Sequence, residues 1–231
     1  MNFPLLPQRH ASAVRGIQQH VRYAERPSDS SVVERIWHTQ TETDDECIAI
    51  ADGRWDIMFF SFEGETRVMI TGPQTNTILI PHRAGSEWLG IRFRVGVTIP
   101  EIPLPSLVNE GVELPPTRRQ FFSLKGTSWQ QPTYENADTF IDHLMSEQTF
   151  AIETSVMSIM RGEQPHWSTR TMQERFRRTT GLTFKTIEQI ERAQMALVLL
   201  QQGVSIGVLD KISSDTGDLT DDFFCCFIGT S

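Results

Sequence analysis

Seven side chains between residues 170 and 185 have the types and spacing to meet a nucleic acid. Arg170 and Gln173 lie one helical turn apart. An arginine can bond bidentately to guanine and a glutamine to adenine. Glu174, beside them, can accept from the amino group of cytosine or simply repel phosphate. Arg175, Arg177, Arg178 and Lys185 suit phosphates, which fix position without reading sequence. From 168 to 186 there are five cations and one anion, a net charge of +4 inside a chain of −8. The ordinary alternative is a solvated helix face, with Glu174 and Arg178 as an i,i+4 pair worth about 0.3–0.5 kcal/mol.

The elements that must hold these side chains are legible on either side. Ser168 is a good N-cap, because its hydroxyl can accept from an early backbone N–H. Met172 and Phe176 then share one face. Gly181 can end the helix in the left-handed conformation. Thr183 caps a second helix over 183–202, with Ile187, Ile190, Ala193, Leu197 and Leu200 along one side, and Gly203 closes it. A short, basic, amphipathic helix docked on a long apolar one is a way to place a helix in the major groove.

This stretch resembles the DNA-binding domain of AraC/XylS-type transcriptional regulators. The carrying residues are S-x-R-T-x-Q-x-R-F-x-x-x-T-G-L-T from Ser168 to Thr183, I-E-R-A from Ile190 to Ala193, and L-L-x-x-G-V-S-I from Leu199 to Ile206. Upstream, ADGRWDIMF (Ala51 to Phe59), TGP (Thr71 to Pro73), GIRFRVG (Gly90 to Gly96) and LPSLVNEGVELP (Leu104 to Pro115) are similar to the sensor half of one subgroup of that family. The resemblance implies a sequence-specific transcription factor. Arg170 and Gln173 match the family's base-reading positions. Glu174 stands where the family often carries a basic or amide residue.

The resemblance also implies a second helix-turn-helix near the end, with a Gly-aromatic turn and a basic helix. Residues 207–231 depart from that pattern. They carry five aspartates against one lysine, and no arginine follows Arg192. A shifted reading frame, a truncation and a decayed motif all fit the departure. A chain so altered would be a sensor or interaction protein without autonomous DNA binding.

The rest of the chain bounds the reading. A net charge of −8 and a pI near 5.3 argue against a protein that coats nucleic acid over its whole surface, but not against a local reader. No apolar run is longer than that of Met195 to Leu200, which is far short of the roughly 20 residues that span a bilayer. No basic segment followed by an apolar core opens the chain, so no secretory signal is expected. Three cysteines, two of them adjacent at Cys225 and Cys226, form neither a disulfide framework nor a CxxC pair, which fits a reducing cytoplasm.

From Val32 to Val97, short β-branched and aromatic runs alternate with Gly, Asp, Asn and Pro, the mark of antiparallel β structure. The expected fold is α+β. A cupin-like sandwich or barrel over residues 1–132 serves sensing or dimerisation, and a helical helix-turn-helix domain follows over 133–231. In the second half, Ala137, Phe140, Ile141 and Leu144 should face inward, as should Val156. The expected partners are double-stranded DNA, a small-molecule effector and a second copy of the chain.

An effector site in the β half would be mostly apolar with a few polar groups. Trp55, Phe59, Trp88 and Arg92 are its candidate lining, although aromatics on strands are more often core. The six histidines are scattered with no HxH or HxxxH pair, and His38 and His82 are the two that could meet in space, so no metal or other cofactor is expected. No GxSxG, GxGxxG or phosphate loop occurs. Asp44, Asp52, Asp56 and Glu87 have nothing to fix them as an acid–base pair, and Asp52-Gly53 reads as a turn. No enzyme is expected.

Overall fold

The computed structural model describes residues 21–163 and 167–204. The acidic tail at 207–231, the first 20 residues and His166 lie outside the described residues. In chain order come β1 (Val21–Arg26), β2 (Val33–Thr41), β3 (Asp45–Ala49), β4 (Asp56–Phe62), β5 (Glu65–Thr71), β6 (Ile78–His82), β7 (Glu87–Phe93) and the short β8 (Val97–Thr98). One 3-10 turn, Leu104–Leu107, follows. Then come β9 (Gly111–Leu114), β10 (Pro116–Arg118), β11 (Phe121–Leu124), β12 (Thr127–Gln130), α1 (Ala137–Ser146), β13 (Ala151–Ile152), α2 (Thr154–Met160), α3 (Thr169–Thr180) and α4 (Phe184–Gln201). The chain is α+β, with antiparallel sheets first and helices last.

The main sheet has the order β1-β2-β7-β4-β5-β9, with every pair antiparallel. It does not close into a barrel: β1 and β9 are its edges. β3 and β6 pair separately as a two-stranded ribbon, in the register Asp45↔His82 to Ala49↔Ile78. β10, β11 and β12 form a small meander, and β13 pairs with β8.

Successive side chains on a strand point to opposite faces, so the main sheet has two. On one, Ile36, Ile57, Phe59, Val68, Ile70, Leu89, Ile91 and Phe93 are buried in a single core. Phe122 of β11 and Phe140 of α1 complete it, each with its ring centroid 5.8 Å from that of Phe59. The four inward residues expected of α1 (Ala137, Phe140, Ile141 and Leu144) are all buried there. Although α1 follows residue 132, its apolar face belongs to the sheet core. The other face carries Trp37, Asp56, Met58, Phe60, Trp88 and Arg92. Gly90 is needed there: a Cβ on it would lie 2.0 Å from the Trp37 indole.

A second core joins the two halves. Ala51 and Val95 from strand-connecting loops pack with Val156, Ile159, Phe176, Leu182, Ile187 and Ile190. α4 is capped by Thr183, whose Oγ1 accepts from the Thr186 N–H at 3.0 Å. Its buried residues are Ile187, Ile190, Ala193, Ala196 and Val198. Leu197 and Leu200, expected on the same stripe, are half-buried, because the last turns of α4 extend past the second core.

Candidate functional site

α3 is built as its sequence dictates. Ser168 Oγ accepts from the Thr171 N–H at 3.2 Å, and Gly181 ends the helix at φ +78. Thr180, buried, donates to the Phe176 carbonyl at 2.8 Å and accepts from the Leu182 N–H at 3.0 Å. These bonds consume the polar groups at the helix end and fix the turn into α4. Phe176 is fully buried and packs edge-on to Phe184. With that face inward, Arg170, Gln173, Glu174, Arg177 and Arg178 are all exposed. Lys185, at the start of α4, is exposed too.

The cations differ in their partners. Arg170 Nε donates to Glu174 Oε1 at 3.0 Å, with both side chains well exposed. Arg175 is half-buried: it donates to Glu153 Oε1 at 3.1 Å and lies 4.1 Å over the Trp167 ring. Arg178 Nη2 is 3.6 Å from the other Glu153 oxygen. Glu174 thus pairs with Arg170 and not with Arg178, and a single carboxylate before α2 faces two of the four proposed phosphate ligands. Arg177 and Lys185 have no ion pair among the described residues.

The four candidate effector residues do not share one site. Phe59 is in the sheet core. Trp55 is buried, stacked on Phe93 at 4.0 Å, and its Nε1 donates to the Val97 carbonyl at 2.7 Å. Trp88 and Arg92 are on the opposite face of the sheet. Arg92 is occupied, donating to both Asp56 oxygens at 3.0 Å and lying 2.5 Å from Asp52 Oδ2. Trp37 Nε1 also donates to Asp56, at 3.2 Å. Burial pushes the Asp52 carboxyl up, Arg92 pulls it back and Asp56 raises it again, leaving it at about 6.

Trp88 lines an open groove of about 520 Å³ between the sheet and the end of the β3–β6 ribbon. Phe60, Phe62, Glu65, Arg67, Pro81, His82, Arg83 and Ser86 complete its walls. Phe60 and Trp88 are cross-strand partners with ring centroids 4.4 Å apart. The Arg83 guanidinium lies 5.6 Å over the Phe62 ring. His82 is 8% exposed, and neither ring nitrogen has a hydrogen-bond partner among the described residues. The Thr43 hydroxyl is in the same state. A buried polar group left unpaired costs about 1–3 kcal/mol. The groove aromatic outside the predicted lining is Phe60, one residue from Phe59. Strict alternation along β4 separates the two, and that signal was available in the sequence.

A further polar cluster joins the halves. Arg54 Nε donates to Glu34 Oε2 at 2.8 Å and its Nη2 to Glu191 Oε1 at 2.5 Å. Burial works to raise the Glu34 carboxyl, but Arg54, Arg35 and Arg92 outweigh it and hold it well below the usual range. Gln194 Nε2 donates to the Ala51 carbonyl at 2.6 Å. His38 and His82 do not meet: His38 bonds Glu87 at 2.6 Å and contacts Tyr134, away from the ribbon. Among the described residues no three His, Cys, Asp or Glu side chains stand as a metal-holding group. No described helix is long and apolar enough to cross a membrane.

No family model matches the chain, and neither a curated protein nor a solved structure matches it.

Proposed function

We propose that this chain is a sequence-specific DNA-binding transcriptional regulator of AraC/XylS type, working in the cytoplasm. α2 and α3 act as its helix-turn-helix, and α3 enters the major groove. The carrying observation is that α3 buries Phe176 while presenting Arg170, Gln173 and Arg177 on one exposed face. Arg170 and Gln173 would meet base edges, Glu174 would sit beside them, and Arg175, Arg177, Arg178 and Lys185 would meet phosphates. The β half would take a small effector or a second copy of the chain. An effector shifts binding only by favouring the arrangement of halves in which α3 reaches DNA.

The test is selection of duplexes from a random pool by the full chain, followed by fluorescence anisotropy at several salt concentrations. Changing Arg170 or Gln173 to Ala should cost about 1–3 kcal/mol on the selected site and relax preference at one position. Arg177→Ala should weaken all sequences alike. The absence of any enriched sequence would sink the reading.

One observation favours a second reading, in which the chain has lost autonomous DNA binding and acts by pairing with other proteins. Glu153 and Glu174 between them face Arg170, Arg175 and Arg178, which leaves little unpaired positive charge on α3. Affinity that stays at the non-specific level for every duplex would support it.

A further inference from the structure

Eight charged side chains meet where α4 docks on the β half. Arg54 holds Glu34 of β2 at 2.8 Å and Glu191 of α4 at 2.5 Å. Arg92 of β7 holds Asp52 at 2.5 Å and Asp56 of β4 at 3.0 Å. Arg35 of β2 is shared in turn by Glu34 at 3.0 Å and Glu25 at 3.3 Å. Three guanidiniums thus face five carboxylates, and none of the eight side chains is more than 25% exposed. Water does little to offset the two surplus negative charges, and a buried charge without a full partner is costly. Asp52 is less well provided for than Asp56. Asp56 accepts twice from Arg92 and once from Trp37 Nε1. Asp52 has one oxygen on Arg92 and the other on the Arg54 backbone N–H, at 2.9 Å. Both chain neighbours of Asp52 are covered by α4. The Ala51 carbonyl accepts from Gln194 Nε2 at 2.6 Å, and a Cβ on Gly53 would lie 3.3 Å from Ile190 Cδ1. Docking of α4 therefore closes over a carboxylate that shares its guanidinium with a like charge.

We propose that this joint is a proton-linked latch: Asp52 takes up a proton as α4 docks, so acidification holds the helical half on the β half and a rise in pH loosens it. The sign follows from linkage. Burial pushes the Asp52 carboxyl up from 3.8, Arg92 pulls it back and Asp56 raises it again, to about 6. With α4 away, the carboxyl regains water and moves back towards its ordinary value. The open form then binds fewer protons and gains as pH rises. The other groups around Asp52 keep their charge over this range. Arg54 and Arg92 stay protonated, and Arg54, Arg35 and Arg92 hold Glu34 ionised against its burial. On α4, Glu188 is the second group to watch: burial raises its carboxyl, Arg192 lowers it and Glu191 raises it. Glu191 itself reaches the network through Arg54. Because α3 runs into α4 through the fixed turn at Gly181, the latch governs how freely both helices move from the β half. The latch goes beyond the DNA-binding reading and operates without DNA, so the two stand or fall separately.

The test is hydrogen exchange on the full chain, without DNA, followed by mass spectrometry of peptides from α4 and from the main sheet. Exchange is measured from about pH 5 to about pH 7.5 and corrected for the intrinsic pH dependence of amide exchange. A helix of 18 residues is marginal once its apolar face loses its packing, so α4 amides exchange when it undocks. They should exchange ahead of the sheet core. Their protection should fall severalfold across the range, with roughly tenfold as the ceiling for a carboxyl that returns to its ordinary value. Asp52→Asn keeps the shape of the side chain and should remove the fall. Glu188→Gln should leave most of it. Protection of α4 that stays constant with pH in the natural chain would overturn the proposal, and that result depends on no variant. The same conclusion follows if the fall survives in a folded Asp52→Asn chain, or if α4 and the sheet core share one opening at every pH.

Discussion

Arg54 donates to Glu191 at 2.5 Å across a separation of 137 residues. The bond links the turn before β4 to the middle of α4. It is one of several ties at the same place. Arg54 also holds Glu34, Gln194 holds the Ala51 carbonyl, and Gly53 sits against Ile190 and Leu182. α4 is thus docked on the β half by one buried cation, one amide and an apolar patch. The burial of Arg54 disfavours its charge, but Glu34 and Glu191 outweigh that effect and raise its pKa. Moving α4 away would break the Arg54–Glu191 bond and return both groups to water, while Arg54 and Glu34 stay paired within the β half.

Arg54→Leu should therefore destabilise the chain by about 3 kcal/mol, because it leaves Glu34 buried without its main partner. Glu191→Gln should cost less, since an amide still accepts from Arg54 and Glu191 is partly exposed. Urea unfolding gives both values, and the double variant gives the coupling. Additive losses would show that Arg54 and Glu191 do not act as a pair.

Asp52 gives a pH dependence of definite sign. Its folded-state pKa, about 6, is above its ordinary value of 3.8. The folded state holds that proton more tightly, so the Asp52 contribution is present below about 4 and is lost as pH rises through about 6. Glu34 works in the opposite direction: its depressed value gives stability at neutral pH that disappears on acidification. Asp52→Asn separates the two. Measured by urea midpoints, the variant should gain on the natural chain between about pH 4 and 7, by on the order of 2 kcal/mol. A constant difference across that range would mean that Asp52 titrates normally.

The sequence made parts of this architecture legible and hid others for physical reasons. β2 and β4 to β7 stand out because each is a run of β-branched and aromatic residues between turn formers. The caps Ser168, Gly181 and Thr183 are local signals, and all three act as such. The strands from Gly111 to Gln130 are not legible. They are three or four residues long, broken by Pro115 and Pro116, and mostly exposed, so no alternation builds up. Asp52-Gly53 looks like a simple turn. It is one, with Gly53 at φ +60, but nothing local shows that Arg92 holds the aspartate or that α4 covers the glycine. The groove is hidden in the sequence for the same reason. Arg67, His82 and Arg83 meet Trp88 only through pairing of distant strands, and no periodicity encodes that.

Gly181 ties the end of α3 to the loop before β9. Its φ of +78 is left-handed, and a Cβ there would lie 2.6 Å from Val108 Cγ2 and 2.8 Å from Pro105 Cα. Gly181→Ala meets both the conformational penalty and the clash. It should destabilise by about 2 kcal/mol or more. Gly203→Ala provides the contrast, since Gly203 has a similar φ of +85 and a Cβ on it would meet nothing within 4 Å among the described residues. It should cost only about 1 kcal/mol. Equal losses in thermal or urea unfolding would show that the contact with Pro105 and Val108 contributes nothing.

Glu153 sets how much positive charge α3 can offer. It accepts from Arg175 and lies 3.6 Å from Arg178, and its backbone N–H is held by the Gly96 carbonyl at 2.8 Å. The backbone that carries this carboxylate is thus anchored to the loop after β7. If α3 binds DNA with Glu153 engaged, Arg177 and Lys185 are the cations left for phosphates, and log K should fall with log salt at a slope near −1.8. Glu153→Gln frees Arg175 and Arg178 while keeping the shape of the side chain. The slope should then approach −3.6, the value for four phosphate contacts. Affinity at low salt should rise together with the slope, for all duplexes alike, because phosphates carry no sequence information. Anisotropy on one 20-base-pair duplex across a salt series measures both quantities, and circular dichroism checks that α2 stays folded. A slope unchanged by the substitution, in a folded chain, would place Arg175 and Arg178 away from the DNA. The positive charge that α3 offers DNA would then reduce to Arg170 and Arg177, beside Gln173.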